Sequence, residues 1–305
     1  MKNKGEQRKI NKSIEEKKLP EVFTLIRRSV VLINIVRKTP FLEDDKMVIK
    51  DFNIGHGSGF IYNIGDLAFV FTAAHIVTDL KKEDRIEVIA PNKRGEWVKD
   101  SKVQIFFADE EHDIAALLLS HKAVNFQPVN LPAPAFDLEM VLKVGVMITY
   151  CGFPYISRGK YIPVFQQGMI AGIDTGRFKD DKIAYVIDGM VNPGNSGGPA
   201  FYGKTNEVIG IISAYIKPLT GGPRLAIIDG RSITDLFSRS AGLGLVVPIN
   251  YAIDALKMEI GKIKRKAKRG EDKKKSLRRK AKEVSSDAEN TIREVISGRI
   301  VYNKK

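Results

Sequence analysis

From residue 29 onward the chain is a series of short apolar or alternating runs broken by turn residues. The first set reads VVLINIV at 30–36, GSGFIYNI at 57–64, AFVFTAAHIV at 68–77, RIEVIA at 85–90, KVQIFFA at 102–108 and DIAALLLS at 113–120. A proline-bearing link, NFQPVNLPAPAF, leads to the second: VGVMITYCGF, YIPVFQQGMIAGI, KIAYVID, GGPAFY, EVIGIISAYI and GLGLVVPI. Runs of this length, rich in β-branched residues, predict strands. Two groups of about six strands, with no helical periodicity before residue 250, predict an all-β chain of two six-stranded antiparallel β-barrels.

The helical period enters only near the end. Ile253, Leu256, Ile260 and Ile263 are spaced 3-4-3, which places them on one stripe of a helix ending at Gly270. Ser286 and Glu289 form a capping box for a further short helix, and Ser13 with Glu16 forms another near the N-terminus. The expected organisation is a polar arm over 1–27, a first barrel over 28–130, a second over 131–250 and a basic helical tail over 251–305. The segment 217–241 is longer than most strand connections and is expected to be functional or mobile.

Composition changes the picture in two places. The net charge of +14 is concentrated between Lys262 and Lys282, where 13 Lys/Arg face two acids and leave only +3 for the rest. Such a run is a solvated face or a contact for nucleic acid or an anionic surface. The single cysteine, Cys151, excludes an intramolecular disulfide, suits a reducing compartment and reads as a small buried residue. With no apolar signal segment at the N-terminus and no apolar run long enough to span a bilayer, the expected location is cytoplasmic.

The stretch VNPGNSGGPAF surrounds Ser196 with glycine and proline. Glycine serves where a chain turns tightly or bares its N–H groups, so Ser196 is either displayed among inward-facing amides or part of a plain glycine-rich turn. His75 ends an apolar strand behind two alanines, as a general base or as a core histidine. Asp113 opens an apolar strand, as a partner for such a base or as a solvated cap. A serine is a poor nucleophile unless a base lies within reach and a third group fixes the base's tautomer. The chain order His75, Asp113, Ser196 is the one used by chymotrypsin-type triads.

These residues resemble the trypsin-like serine peptidases, and within them the HtrA-like branch. The resemblance rests on GNSGGP at 194–199, TAAH at 72–75, DIA at 113–115, GSG at 57–59, EVIGI at 207–211 and GLGLVVPIN at 242–250, and covers roughly residues 28–250. It implies a chymotrypsin-like pair of barrels and a serine endopeptidase with His75, Asp113 and Ser196 as its triad. Gly194 and Ser196 would supply oxyanion N–H groups, and Ser213 would support Asp113. Ser213, Ala214 and Tyr215 would pair with an extended polypeptide substrate, and Met190, six residues before the nucleophile, would floor a pocket for small or medium aliphatic side chains.

Asn195 departs from the aspartate of zymogen-activated relatives. The roughly 55 residues after Asn250 are too few and too basic for the PDZ domain that HtrA-like proteins often carry. No cofactor or metal is expected, and the helical stripe admits docking on the second barrel or a homo-oligomer contact. The competing reading is a catalytically restrained binding or regulatory protein on the same fold, its basic tail contacting nucleic acid or a partner.

Overall fold

The computed structural model describes residues 19–43, 46–64, 67–92, 94–120, 142–154, 156–157, 160–215, 227–228, 231–232 and 242–268. Both expected capping boxes, the helix stop at Gly270, most of 217–241 and most of the basic run lie outside them.

Residues Val30–Glu43 (β1), Lys46–Ile64 (β2), Leu67–Thr72 (β3), Asp84–Pro91 (β4), Trp97–Asp100 (β5), Gln104–Asp109 (β6) and Ile114–Leu118 (β7) form one antiparallel sheet in the order β5-β4-β1-β2-β3-β7-β6. Seven strands thus stand where six were read. The extra one, β5, is short and lacks an apolar run, so no pattern in the sequence announces it. The continuity of VVLINIV has a direct cause. Val31, Ile33 and Ile35 pack with Ile61, Val70, Val88 and Leu117, while Val30 and Leu32 on the opposite face join the core that runs into the second half. A strand buried on both faces has no polar side to alternate. Beyond Arg37, β1 pairs with β2 alone, and this two-stranded arm exposes Phe41, Leu42, Met47 and Ile49.

The second half closes into a six-stranded barrel of Met147–Gly152 (β8), Val164–Asp174 (β11), Ala184–Asp188 (β12), Pro199–Tyr202 (β13), Val208–Tyr215 (β14) and Leu243–Pro248 (β17), in the order β11-β12-β17-β14-β13-β8. Each matches one run of the second set. Two separate pairs of short strands are also present, Ile156–Ser157 (β9) with Lys160–Tyr161 (β10) and Ile227–Ile228 (β15) with Arg231–Ser232 (β16). Tyr150, Phe153, Tyr185 and Phe201 are fully buried in its core. Cys151 is buried there too, and burial pushes its thiol up to about 12, so it is a packing residue and not a thiolate at neutral pH.

Two helices close the ends. Leu19–Ile26 (α1) buries Val22 and Ile26 and sets Phe23 against Phe165 of β11 at 5.4 Å between ring centroids, so this part of the polar arm is docked. Ile249–Lys268 (α2) packs against β14 and β17 and also against β6 and β7. Its buried line runs through Ile249, Ala252, Leu256 and Ile260, whereas Ile253 and Ile263 are only half-buried. Leu256 and Ile260 of the predicted stripe are thus on the buried face and Ile253 packs against the same core, and the face extends through Ile249 and Ala252 because the helix begins directly at the end of β17. Among the described residues no helix is long and apolar enough to cross a membrane.

One ion pair ties β1 to β4. Arg37 Nε and Nη2 donate to the two carboxylate oxygens of Asp84 at 2.6 and 2.8 Å, and this guanidinium holds Asp84 at about 2, below its ordinary 3.8. A depressed carboxylate stabilises the fold fully above its unfolded value and loses that contribution as pH falls from 3.8 towards about 2. Asp84→Asn is therefore expected to lower the thermal midpoint at neutral pH, the deficit shrinking through that acid window. Melting curves across pH check it, and a deficit independent of pH would refute it.

Candidate active site

The small residues before His75 explain its position. Ala73 and Ala74 are fully buried, and Thr72 Oγ1 donates to the Ser58 carbonyl at 2.7 Å, so β3 ends hard against β2 and turns at once into a 3-10 turn, Ala74–Ile76. The turn leaves the imidazole on the surface side, with 49% of it exposed. His75 is thus not a core histidine.

Asp113 lies in the turn between β6 and β7 with φ of 53°, a left-handed conformation that aspartate tolerates better than most residues. It receives the His75 backbone N–H at 2.9 Å and lies 2.9 and 3.0 Å from His75 Nδ1. A carboxylate accepts only, so Nδ1 carries a proton, and in the neutral ring Nε2 then offers its lone pair. Ser213 Oγ donates to Asp113 Oδ2 at 2.5 Å across 100 residues of chain.

The neighbouring His112 anchors this turn to the second half. Its ring nitrogens face Asp109 at 2.6 Å and Asp180 at 3.0 Å, with Phe178 and Tyr251 packed around the ring. Lys182, foremost, and then His112 hold the Asp180 carboxyl at about 2. Nothing in the segment around His112 itself announces this role.

Ser196 sits on a loop clamped to the first half. The Ser58 N–H donates to the Ser196 carbonyl at 2.8 Å, Ser58 Oγ donates to the Gly194 carbonyl at 2.5 Å, and Phe153 N–H donates to Ser58 Oγ at 2.8 Å. Ser58, the middle residue of GSG, thereby ties three segments together, a role its sequence context did not announce. Gly194 has φ of +93°, and a Cβ there would fall 2.4 Å from the Phe153 carbonyl oxygen and 2.8 Å from His56 Nε2. Only glycine fits. Gly197, with φ of +84°, lies against Ser58, Thr72 and Ala73, which brings the Ser196 loop beside the residues just before His75. Among the described residues, the N–H groups of Gly194 and Ser196 have no hydrogen-bond acceptor.

The remaining expected residues lie on β14 and just after β12. The ladder between β14 and β17 breaks between Ile212 and Tyr215, so the backbone of Ser213 and Ala214 lies in a bulge. Met190, expected at a pocket floor, has its side chain 63% exposed. Its carbonyl accepts from Gln166 Nε2 at 2.9 Å, and Gln166 Oε1 accepts from Asn195 Nδ2 at 3.0 Å. Burial lowers the pKa of His56, beside Gly194, and so favours its neutral ring. Among the described residues no cluster of His, Cys, Asp and Glu could hold a metal ion.

A profile of the Trypsin-like peptidase domain matches residues 57–211, just over half of the chain. A "Probable periplasmic serine endoprotease DegP-like" of Halomonas elongata is 29% identical over 202 residues, 65% of this chain and 34% of that protein. A protein of the same description from Brucella suis is 30% identical over 173 residues, 57% of this chain and 30% of its own. A "Serine protease HtrA-like" of Staphylococcus haemolyticus is 29% identical over 171 residues, 53% and 24% of the two chains. The chain spans about a third or less of the length of these relatives. Their names correct the cytoplasmic expectation, because several of the matched relatives are described as periplasmic. A lone cysteine is a weak guide to compartment: barrels whose cores bury so many large side chains need no disulfide on either side of a membrane.

Proposed function

Since the chain belongs to the trypsin-like peptidase family, in its HtrA-like branch, we propose that it is a serine endopeptidase that hydrolyses polypeptides through His75, Asp113 and Ser196. The observation that carries this reading is the hydrogen-bonded series Ser213, Asp113, His75, placed beside the clamped loop of Ser196.

An extended substrate adds as a strand along the bulged backbone of Ser213, Ala214 and Tyr215, where main-chain hydrogen bonds give affinity with little demand on sequence. Ser196 Oγ attacks the scissile carbonyl while His75 Nε2 takes its proton, and Asp113 holds the imidazole and stabilises its charged form. The carbonyl oxygen becomes an oxyanion facing the N–H groups of Gly194 and Ser196, each such donor contributing about 3 to 4 kcal/mol in the transition state. His75 then protonates the leaving amine and activates the water that hydrolyses the acyl-enzyme. Met190, aliphatic and uncharged, favours small or medium aliphatic side chains before the cleaved bond.

A fluorophosphonate phosphonylates an activated serine, with loss of fluoride, and leaves an inert one untouched. The full chain is expected to take up one adduct, located on Ser196 by peptide mass spectrometry. No adduct under any condition, with peptide substrates present as well, would leave the chain as a restrained binding protein on a peptidase fold.

A further inference from the structure

Met190 precedes the oxyanion loop and Asn195 lies within it, between Gly194 and Ser196, and one side chain joins them. Gln166, half-buried on β11, donates from Nε2 to the Met190 carbonyl at 2.9 Å and accepts at Oε1 from Asn195 Nδ2 at 3.0 Å. The direction of this relay is dictated by chemistry. A backbone carbonyl only accepts, so Gln166 must turn its NH2 towards Met190, and its oxygen then faces residue 195. Residue 195 must in turn be a donor. Asparagine satisfies that requirement and an ionised aspartate does not, which gives the departure at this position a local reason.

The relay matters because, among the described residues, it supplies the one hydrogen bond of the Asn195 side chain, the backbone being held by Asn192 and Gly198. Asn195 is fully buried, and its Oδ1 has no hydrogen-bond partner among the described residues. On one side of it Gly194 holds φ of +93°, and on the other Ser196 has its carbonyl tethered by Ser58. Nearby, Gly168 of the same strand abuts the Asp188 carbonyl, where a Cβ would fall 2.6 Å away, so β11 is seated firmly against the segment that leads to Met190.

Building on the peptidase reading, we infer that Gln166 is a positioning residue that couples the pocket segment at Met190 to the oxyanion loop through Asn195. It touches no reacting atom. It holds the two N–H donors at Gly194 and Ser196 in register with the entrance to the pocket.

Gln166→Leu removes both bonds. Gln166→Glu keeps an acceptor for Asn195 but sets a carboxylate against the Met190 carbonyl. Both are expected to lower kcat per fluorophosphonate-titrated site about tenfold, the scale of two modest hydrogen bonds. KM should change much less, and the thermal midpoint should stay within a few degrees of wild type. A purely structural role would reduce the fraction of titratable sites and the midpoint while leaving kcat per site unchanged. Wild-type kcat per site in either variant overturns the inference. A wild-type chain that neither reacts with the probe nor cleaves peptides overturns instead the peptidase reading on which it rests.

Discussion

Ser196→Ala is expected to lower kcat by about six orders of magnitude while leaving the fold and substrate affinity close to wild type, the scale seen when a triad serine is removed. The side chain is half-buried at the tip of its loop and makes no hydrogen bond among the described residues. The loop is held by its backbone: Ser196 through its carbonyl, Gly194 through its carbonyl, and Gly197 through an N–H that donates to the Ile212 carbonyl at 2.6 Å. Truncating the hydroxyl therefore removes the nucleophile and little else. Asp113→Asn is the companion, expected to cost about four orders of magnitude by allowing the wrong imidazole tautomer. Steady-state kinetics on a peptide found by cleavage profiling check both. Activity of Ser196→Ala within tenfold of wild type would assign the chemistry to another group.

Gly197→Ala carries the largest expected loss of stability. A Cβ at this position would fall 2.0 Å from the Ser58 carbonyl oxygen, 2.3 Å from Thr72 Oγ1 and 3.0 Å from the Ala73 nitrogen, two of these being backbone atoms that cannot swing aside. The left-handed φ of +84° adds its own strain. Together these should destabilise the fold by about 3 to 5 kcal/mol, from left-handed backbone strain plus overpacking. Gly203→Ala separates the two contributions. Its φ is +51° with nothing within 4 Å of the added carbon. It should lose only the conformational part, about 1 kcal/mol. Urea titrations of both variants at unchanged m-value measure the difference. Equal losses would mean that the junction between the two halves is looser than its contacts imply.

Most strands could be read directly, because each barrel strand of the second half carries its own apolar run and its own flanking turn residues. Strand β5 could not, since Trp97–Asp100 has too few residues to show a period. The arm formed by the outer ends of β1 and β2 was missed for a different reason: its strands pair with each other and bury little, so no hydrophobic alternation marks them. For α2 the period was legible, and so was part of the buried face, Leu256 and Ile260 with Ile253 packed against the same core. The helix follows β17 without a break, and the contact line through Ile249 and Ala252 depends on that junction.

His75, Asp113 and Ser196 were singled out because each is chemically out of place in its own segment, a charge or hydroxyl among apolar or glycine-rich neighbours. The residues that hold them were not. Ser58, Gln166 and His112 look ordinary within their segments, and each acquires a role only from partners 136, 29 and 68 residues away.

Residue type and chain order alone determined that this protein would be built of β-strands without a disulfide and would carry one triad-like set of side chains. Which of those side chains touch was decided by the tertiary structure: His75 and Asp113 are hydrogen-bonded, and the Ser196 side chain makes no hydrogen bond among the described residues. Strand register and the turn between β6 and β7 bring Asp113 onto His75 from 38 residues away, and the clamp at Ser58 brings the Ser196 loop to the same seam. A local sequence carries its chemistry with it. Contact between distant segments depends on how whole sheets close and pack, and no single segment encodes that.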